Sequence, residues 1–327
     1  MESRAAPTGR AEAVRAELGR ADAAATRAPA HRGPSTHAFA RTDWALLAGV
    51  AAMWGSSFLF IDVGLESLHP AGVTLLRLLF GAATLAIFPK ARGPVPPSEW
   101  GWIALLGLVW MAIPLLLFPI AQQWIDSSLA GMINGAVPLF AAAVAALILR
   151  RLPGGRQMVG LGIGFVGVVA IGWPAVQNAR ATALGVALVL LASVLYGVAL
   201  NIAAPLQLRH GALPVLFRAQ LCALAVVAVP GAVGLSSSSF AAAGVLAVAA
   251  LGCLGTALAF VAMTTLVGRV GVARGSVTIY FIPIVAILLG VIFRDETVAL
   301  ISLAGTALVM AGAYLTSRRE VAPQTRA

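Results

Sequence analysis

Charged residues are scarce in this sequence. Asp, Glu, Lys and Arg make up 10% of its 327 residues, whereas 60% of the residues are hydrophobic and the mean hydropathy is +0.94. A soluble globular domain carries roughly 25% charged residues. The few charges lie in short breaks between apolar runs, and each run is about as long as the ~20 residues with which a helix crosses ~30 Å of hydrocarbon. This distribution excludes a soluble domain and predicts an all-α integral membrane protein.

Cysteine is almost absent. Cys222 and Cys253 are the only two, and both lie within apolar runs. The sequence therefore predicts neither a disulfide framework nor a cysteine-rich metal site. We expect both residues to pack as small apolar side chains.

Acidic residues and histidine are missing from the middle of the apolar runs. The four histidines lie outside the runs, Asp62 and Glu66 come at the end of one run, and Asp126 lies in a break. An intramembrane enzyme needs positioned acids, bases, nucleophiles or metal ligands, and neither an HExxH nor a GxxxxGK[ST] motif is present. The sequence thus predicts no catalytic residue, no metal ion and no cofactor. It also gives no support to proton coupling, which usually uses a carboxylate or histidine within the membrane.

The apolar runs predict ten membrane spans between two tails. Residues 1–43 are rich in Ala, Arg and Glu, have no apolar core and predict a disordered cytoplasmic tail. Residues 318–327 form a second, short cytoplasmic tail. The predicted spans are residues 44–62, 72–89, 102–122, 128–149, 157–173, 184–204, 214–234, 243–266, 272–293 and 298–316.

Two stretches of the chain repeat the same layout. In residues 128–172, Pro138 is followed by Gly160 and Gly167; in residues 273–317, Pro283 is followed by Gly305 and Gly312. Both sets have offsets of 22 and 7 residues. Matched spacing of this kind indicates an internal duplication. We therefore predict a first repeat over 44–174 and a second over 184–317.

Lys and Arg at the ends of the spans predict the orientation. With the N-terminus in the cytoplasm, eleven of them face inside and only Arg180 and Arg294 face outside. The eleven are Arg41, Lys90, Arg92, Arg150, Arg151, Arg156, Arg209, Arg269, Arg274, Arg318 and Arg319. This positive-inside bias places both termini in the cytoplasm, and it explains the net charge of +10 without a nucleic-acid partner. Since each repeat has five spans, the second is predicted to be inverted relative to the first.

The layout resembles the EamA-type transporters of the drug/metabolite transporter superfamily. The likeness is carried by residues 54–85, 127–168, 191–206 and 273–316, the first of which reads WGSSFLFIDVGLESLHPAGVTLLRLLFGAATL. The resemblance implies ten helices as two inverted five-helix EamA repeats, cytoplasmic termini and a central solute pathway. One departure is visible. The family's first repeat usually has an acidic residue before the fifth helix, where this chain has Arg150-Arg151, although the second repeat keeps Asp295-Glu296.

A few polar and aromatic side chains within the spans are candidates for a solute site. They are Trp54, Asn134, Tyr196, Asn201, Tyr280 and Gln122. Each buried amide needs a partner, so helix–helix hydrogen bonding is the alternative for any one of them. Pro138 and Pro283 are candidates for helix kinks and gating, because proline frees the carbonyl four residues earlier. The kinks either border a central cavity or are simply packed.

Arg77 and Arg218 are the only charged residues well inside the predicted spans. We expect both to snorkel to the interface. The alternative for Arg77 is a place in the substrate site, where it would attract an anionic group such as a carboxylate.

Together these features predict a secondary transporter in the plasma (inner) membrane. We expect export of small metabolites, such as amino acids or their derivatives, by alternating access between the repeats. Efflux of drugs or toxic metabolites is the main alternative, and a non-transport enzyme or sensor is a third. The predicted partners are a small-molecule substrate and the lipid bilayer; the sequence carries no signal for an oligomeric state.

Overall fold

The computed structural model describes residues 39–149, 154–178 and 180–317. The predicted tails therefore lie largely outside the described residues, as does Arg150-Arg151. No strand occurs in the described part of the chain, and short helical turns at Pro89–Arg92, Pro97–Glu99 and Val272–Gly275 accompany the main helices, which are numbered here α1 to α10. Their bounds are α1 Arg41–Gly55 and Ser57–Leu65, α2 Pro70–Ala86, α3 Trp100–Ala121, α4 Ser127–Asn134 and Val137–Leu149, α5 Gly155–Asn178, α6 Arg180–His210, α7 Ala212–Ser236, α8 Ala242–Val270, α9 Ser276–Arg294 and α10 Leu300–Ser317.

Nine of these helices are long and apolar enough to cross a membrane. The remaining one, α2, has 17 residues and is shorter. It begins at Pro70, where proline suits a first helical position because the N–H it lacks would have no partner there. His69 caps this end, accepting a hydrogen bond on Nδ1 from the backbone N–H of Ala71 at 3.2 Å.

Two pairs of helices share a local irregularity. Gly107–Ala112 in α3 and Leu251–Leu258 in α8 form wide π-helical turns. α4 is broken just before Pro138, and α9 changes from a 3₁₀ turn to an α-helix at Ile282, next to Pro283. Each half of the chain thus has a π-helical turn in its third helix and an irregularity beside the proline of its fourth helix.

The glycines of the repeated spacing pack α5 against α10. A Cβ on Gly167 would lie 2.6 Å from the carbonyl oxygen of Gly305, and a Cβ on Gly305 would lie 2.7 Å from that of Gly167. Gly160 and Gly312 face each other in the same way, since a Cβ on Gly160 would lie 2.8 Å from the carbonyl oxygen of Gly312. Backbones this close leave no room for a side chain, which is the physical basis of small-residue helix packing in membranes.

Ionic contacts join the first and second halves of the chain at both ends of the helical bundle. At one end, here called the basic end, Arg209 pairs with Glu99 at 2.6 Å and Arg269 with Asp43 at 2.5 Å. The opposite end, here called the acidic end, carries Asp62, Glu66, Asp126, Arg294 and Glu296. There the guanidinium of Arg294 bridges Asp62 and Glu66, with both N–O distances 2.5 Å.

Glu296 fixes the start of α4 at the acidic end. Its carboxylate accepts hydrogen bonds from the backbone N–H groups of Ser127 at 2.9 Å and Ser128 at 2.8 Å, and from the Ser127 hydroxyl at 2.7 Å. A carboxylate at a helix N-terminus is favoured by the unpaired N–H groups and the helix dipole. Glu296, the second member of the acidic pair in the second repeat, therefore holds the start of α4 in the first repeat.

Candidate functional site

A central cavity lies between the two halves of the chain. It has a volume of about 170 Å³ that water-sized molecules can enter, and helices α1 to α4 together with α6, α8 and α9 line it. The lining residues include Trp54, Arg77, Trp110, Phe118, Asn134, Tyr196, Thr256, Phe260 and Ile279.

The two proline distortions open onto this cavity. Asn134 and Ile279 each lie four residues before a proline, at Pro138 and Pro283, and both line the cavity wall. The side-chain oxygen of Asn134 is buried and has no hydrogen-bond partner among the described residues. Interrupted helices at mid-membrane can expose backbone and polar groups only where a cavity or protein satisfies them. The residue four positions before each proline therefore lies on the cavity wall.

The π-helical turns also contribute to the wall. Trp110 and Met111 come from the turn in α3, and Gly255 and Thr256 from the turn in α8. The indole N–H of Trp54 donates to the carbonyl oxygen of Gly255 at 3.1 Å. The sequence analysis missed these turns. The available signal was Gly107 and Gly252, which are 145 residues apart, as are Pro138 and Pro283.

Arg77 does not snorkel to the interface. It lies near the middle of α2 with 8% of its surface exposed, and its Nε donates to the Thr256 hydroxyl at 2.9 Å. The expectation of snorkelling was wrong for Arg77 because Thr256, on the facing helix, holds the guanidinium at mid-depth. Arg218 turns towards the start of its own helix, where Nη1 donates to the Pro214 carbonyl at 3.3 Å.

Six aromatic side chains contribute to the apolar wall. Phe260 packs edge-on against both Trp54 and Trp110, with ring centroids 5.3 and 5.4 Å apart. Phe118 lies 5.9 Å from the ring of Tyr196. Rigid aromatic side chains give an apolar body to the site while Trp and Tyr keep a polar tip.

Three predicted site residues do not line this cavity. Asn201 donates from Nδ2 to the carbonyl oxygens of Gly197 at 2.9 Å and Ala141 at 3.0 Å, so it ties α6 to α4. The Tyr280 hydroxyl donates to Ser317 at 3.5 Å, and Gln122 is buried where α3 ends. A role in solute binding stays a prediction for these three residues.

Among the described residues, the acidic side chains and histidines lie near the ends of the spans and away from this wall. In the part of the chain that the structure describes, no three His, Cys, Asp or Glu side chains gather in a group that could hold a metal ion. Burial raises the pKa of the Asp126 carboxyl above its usual range, and the neighbouring carboxylates of Glu296 and Asp62 raise it further.

Many apolar helices around one mixed polar and aromatic cavity define a multi-pass membrane protein with a small-molecule site. The chain belongs to the EamA-like transporter family, whose model matches residues 44–173 and again residues 183–318. This double match confirms the resemblance seen in the sequence. The protein is therefore a membrane transporter of this family.

Named relatives agree with that assignment. A probable terminal-alkyne amino-acid exporter of Streptantibioticus cattleyicolor is 30% identical over 283 residues, which cover 84% of this chain and 93% of the relative. The uncharacterized inner membrane transporter YedA of Escherichia coli is 28% identical, covering 76% of this chain and 81% of its own. A solved crystal structure that is 18% identical matches 84% of this chain and 96% of its own with a TM-score of 0.58, which supports the fold.

Proposed function

We propose that this protein is a secondary transporter that exports small metabolites, such as amino acids or their derivatives. The observation that carries the proposal is the central cavity, which both halves of the chain build at equivalent helix distortions. The named relative from Streptantibioticus, a probable exporter of an amino acid, supports the direction and the solute class. The cavity binds one solute at a time from alternate sides, as the two repeats rock around it.

The proposed topology has ten spans, with α2 as the short one, in two inverted repeats. Both termini lie in the cytoplasm and the basic end faces inside, as the excess of Lys and Arg favours. The inner-membrane relative supports a place in the plasma (inner) membrane. Arg294 would then be an outer cation, and its pairing with Asp62 and Glu66 neutralises the charge that this side disfavours.

Efflux of drugs or toxic metabolites is the second candidate function. The aromatic wall favours it, because Trp54, Trp110, Phe118 and Phe260 offer stacking surfaces to many apolar solutes. The two candidates differ in what they require of the polar groups. Amino-acid export depends on Arg77 and Asn134, whereas efflux of apolar compounds needs only the rings.

An export assay tests the proposal. Cells that express the protein and cells that carry an empty vector are compared by mass spectrometry of small metabolites in the medium. We expect one metabolite class to accumulate outside only when the protein is present. The variant Asn134→Ala should reduce the accumulation at equal expression.

Ser236→Ala is the matched control, because Ser236 is exposed at the end of α7 and bonds only to the Val233 carbonyl in its own helix. It should leave export unchanged. Indistinguishable media from expressing and empty cells would remove export of common metabolites from consideration.

A further inference from the structure

The guanidinium of Arg77 has no carboxylate partner in the described part of the chain. The acidic residues near the membrane ends are engaged elsewhere or lie apart from it: Asp43, Asp62, Glu66 and Glu99 pair with other arginines, and Glu296 caps α4. Arginine stays charged in proteins, and a charged group at mid-membrane is expensive without a partner or a functional reason. The missing counter-charge points to a ligand.

The free donors of Arg77 face the cavity. Nε is used by Thr256, which leaves the four N–H groups on the two terminal nitrogens. No hydrogen bond or ion pair with a described residue occupies them, and neither nitrogen is among the sealed, unpartnered polar atoms. Because Arg77 lines the cavity, these nitrogens open into it. The hydrogen bond from Nε to Thr256 thus orients the guanidinium and leaves its two terminal nitrogens available to a solute.

The end of a guanidinium fork matches a carboxylate. Two parallel N–H groups can bond both carboxylate oxygens, an arrangement that is stronger and more specific than a single neutral hydrogen bond. Asn134 also lines the cavity, and its Oδ1 is an acceptor that is closed to solvent and has no partner among the described residues, so the side chain must turn before a solute can reach it. An ammonium or amide N–H on the solute would satisfy it, and the aromatic rings would contact an apolar side chain.

We propose that Arg77 anchors the carboxylate of the transported solute and that Asn134 accepts from its amino group, so that the cavity selects amino acids with apolar side chains. This inference rests on the proposed transport function and specifies its substrate. Arg77 and Asn134 are both contributed by the first repeat, whereas Thr256, which orients Arg77, comes from the second. Recognition of the solute therefore spans the interface that must change during transport.

Binding of three probes tests the proposal. Phenylalanine, phenylalaninamide and N-acetylphenylalanine share one side chain, but the second lacks the carboxylate and the third lacks the ammonium group. Binding to the purified full-length protein is followed by intrinsic fluorescence, since Trp54 and Trp110 line the cavity. We expect phenylalanine to bind on the order of tenfold more tightly than phenylalaninamide, as a lost charge-assisted bond implies. N-acetylphenylalanine should fall between the two.

Variants separate the two contacts. Arg77→Gln should abolish the preference for phenylalanine over phenylalaninamide, and Arg77→Lys should retain part of it. Asn134→Ala should reduce the difference in binding affinity between phenylalanine and N-acetylphenylalanine. Arg218→Gln is the control, because Arg218 also lies well inside a predicted span and does not line the cavity. This variant should bind all three probes as the wild type does.

Equal binding of phenylalanine and phenylalaninamide by the wild type would overturn the proposal, as would no binding of any probe or a preference that survives in Arg77→Gln. If Arg77→Gln does not fold, the wild-type comparison and Arg77→Lys decide the matter. Efflux of labelled phenylalanine and phenethylamine from proteoliposomes distinguishes failure of the proposed transport function from failure of the proposed carboxylate anchor. Efflux of the amine alone retains transport and rejects the carboxylate anchor; carboxylate-dependent binding without efflux retains the anchor and rejects transport.

Discussion

Trp54 serves two parts of the site at once. Its indole N–H donates to Gly255, within the π-helical turn of α8, and its ring packs against Phe260. Trp54→Phe keeps an aromatic ring but leaves the Gly255 carbonyl without this donor. We expect a loss of about 1 kcal/mol in stability, the usual net value of such a bond, seen as a lower Tm in detergent. Trp100→Phe, at an exposed tryptophan, should not change the Tm; equal shifts for both variants would contradict this role.

Asp126 makes the stability of the folded protein depend on pH. Its pKa is raised in the folded protein, so the ionised carboxylate is less favourable in the folded protein than in the unfolded chain. It therefore lowers stability at neutral pH, and the penalty disappears as the pH falls through the folded pKa towards the ordinary value of about 3.9. Asp126→Asn should raise the Tm at pH 7 and have little effect near pH 4. Asp295→Asn serves as the neighbouring control, and a lower Tm for Asp126→Asn at pH 7 would reverse the argument.

Individual residues show how much of the candidate site could be predicted from the sequence. Trp54, Asn134, Tyr196 and Arg77 were named from the sequence and line the cavity, because a polar or aromatic side chain within an apolar run marks its depth in the membrane. The depth of a residue in the membrane does not tell whether its side chain points to the cavity or to a neighbouring helix. Asn201 has the same depth signal, but its amide is used by two backbone carbonyls, one of them on α4. That contact exists only in the packed structure.

The break in α4 leads to a prediction about transport. Pro138→Ala restores a backbone N–H at position 138, so the hydrogen bond to the Asn134 carbonyl can form and the break can close. We expect export to fall severalfold while expression stays within a factor of about two. Pro230→Ala is the control, since Pro230 lies in α7, which continues past it without interruption. Parallel losses of export and expression would indicate a purely structural role for Pro138.

The α5–α10 crossing is a second element with a clear prediction. A methyl group at position 167 would meet backbone atoms of α10 at 2.6 to 2.7 Å, so the helices must separate. Gly167→Ala should cost about 1–3 kcal/mol, as overpacking usually does, measured by unfolding in detergent. Gly162→Ala, in the same helix, meets nothing within 4 Å and should cost nothing. Similar stability of the two variants would show that the crossing tolerates a wider spacing.

Elements were predictable where a residue type enforces them. Charge-free runs gave the helices, and Pro138 and Pro283 marked the breaks because proline cannot complete the backbone hydrogen bonding of a helix. The turns at Gly107–Ala112 and Leu251–Leu258 contain no proline. A π-helical turn shifts the hydrogen bonds by one residue without needing a breaker, so composition and hydropathy carry little trace of it.

At the scale of the whole molecule, ionic contacts between the halves sit at both ends, while the cavity lies between them. Alternating access requires one set to separate while the other holds. Arg294→Ala removes both ion pairs of the acidic end and should favour opening there. Partly exposed pairs contribute about 0.5 kcal/mol each, so losing both should raise the open population about fivefold.

Thiol labelling measures that opening. Ser57 lines the cavity, and Ser57→Cys can be placed in a background in which Cys222 and Cys253 are replaced by alanine. A membrane-impermeant reagent added outside should label this cysteine faster in Arg294→Ala than in the parent. Arg269→Ala, which removes the Asp43 ion pair at the basic end, should not accelerate external labelling. An unchanged rate in Arg294→Ala would show that these ion pairs do not hold the acidic end closed.

The glycine contacts between α5 and α10 have a consequence for how the two repeats are related. Gly160 meets Gly312 and Gly167 meets Gly305, so each contact pairs the first glycine of one repeat with the second glycine of the other. A polypeptide of a single repeat would carry both surfaces. Two copies of such an ancestor could have joined through this seam as a homodimer before gene fusion, with no change at the four glycines. The contact is therefore self-complementary, as the interface of a two-fold dimer is.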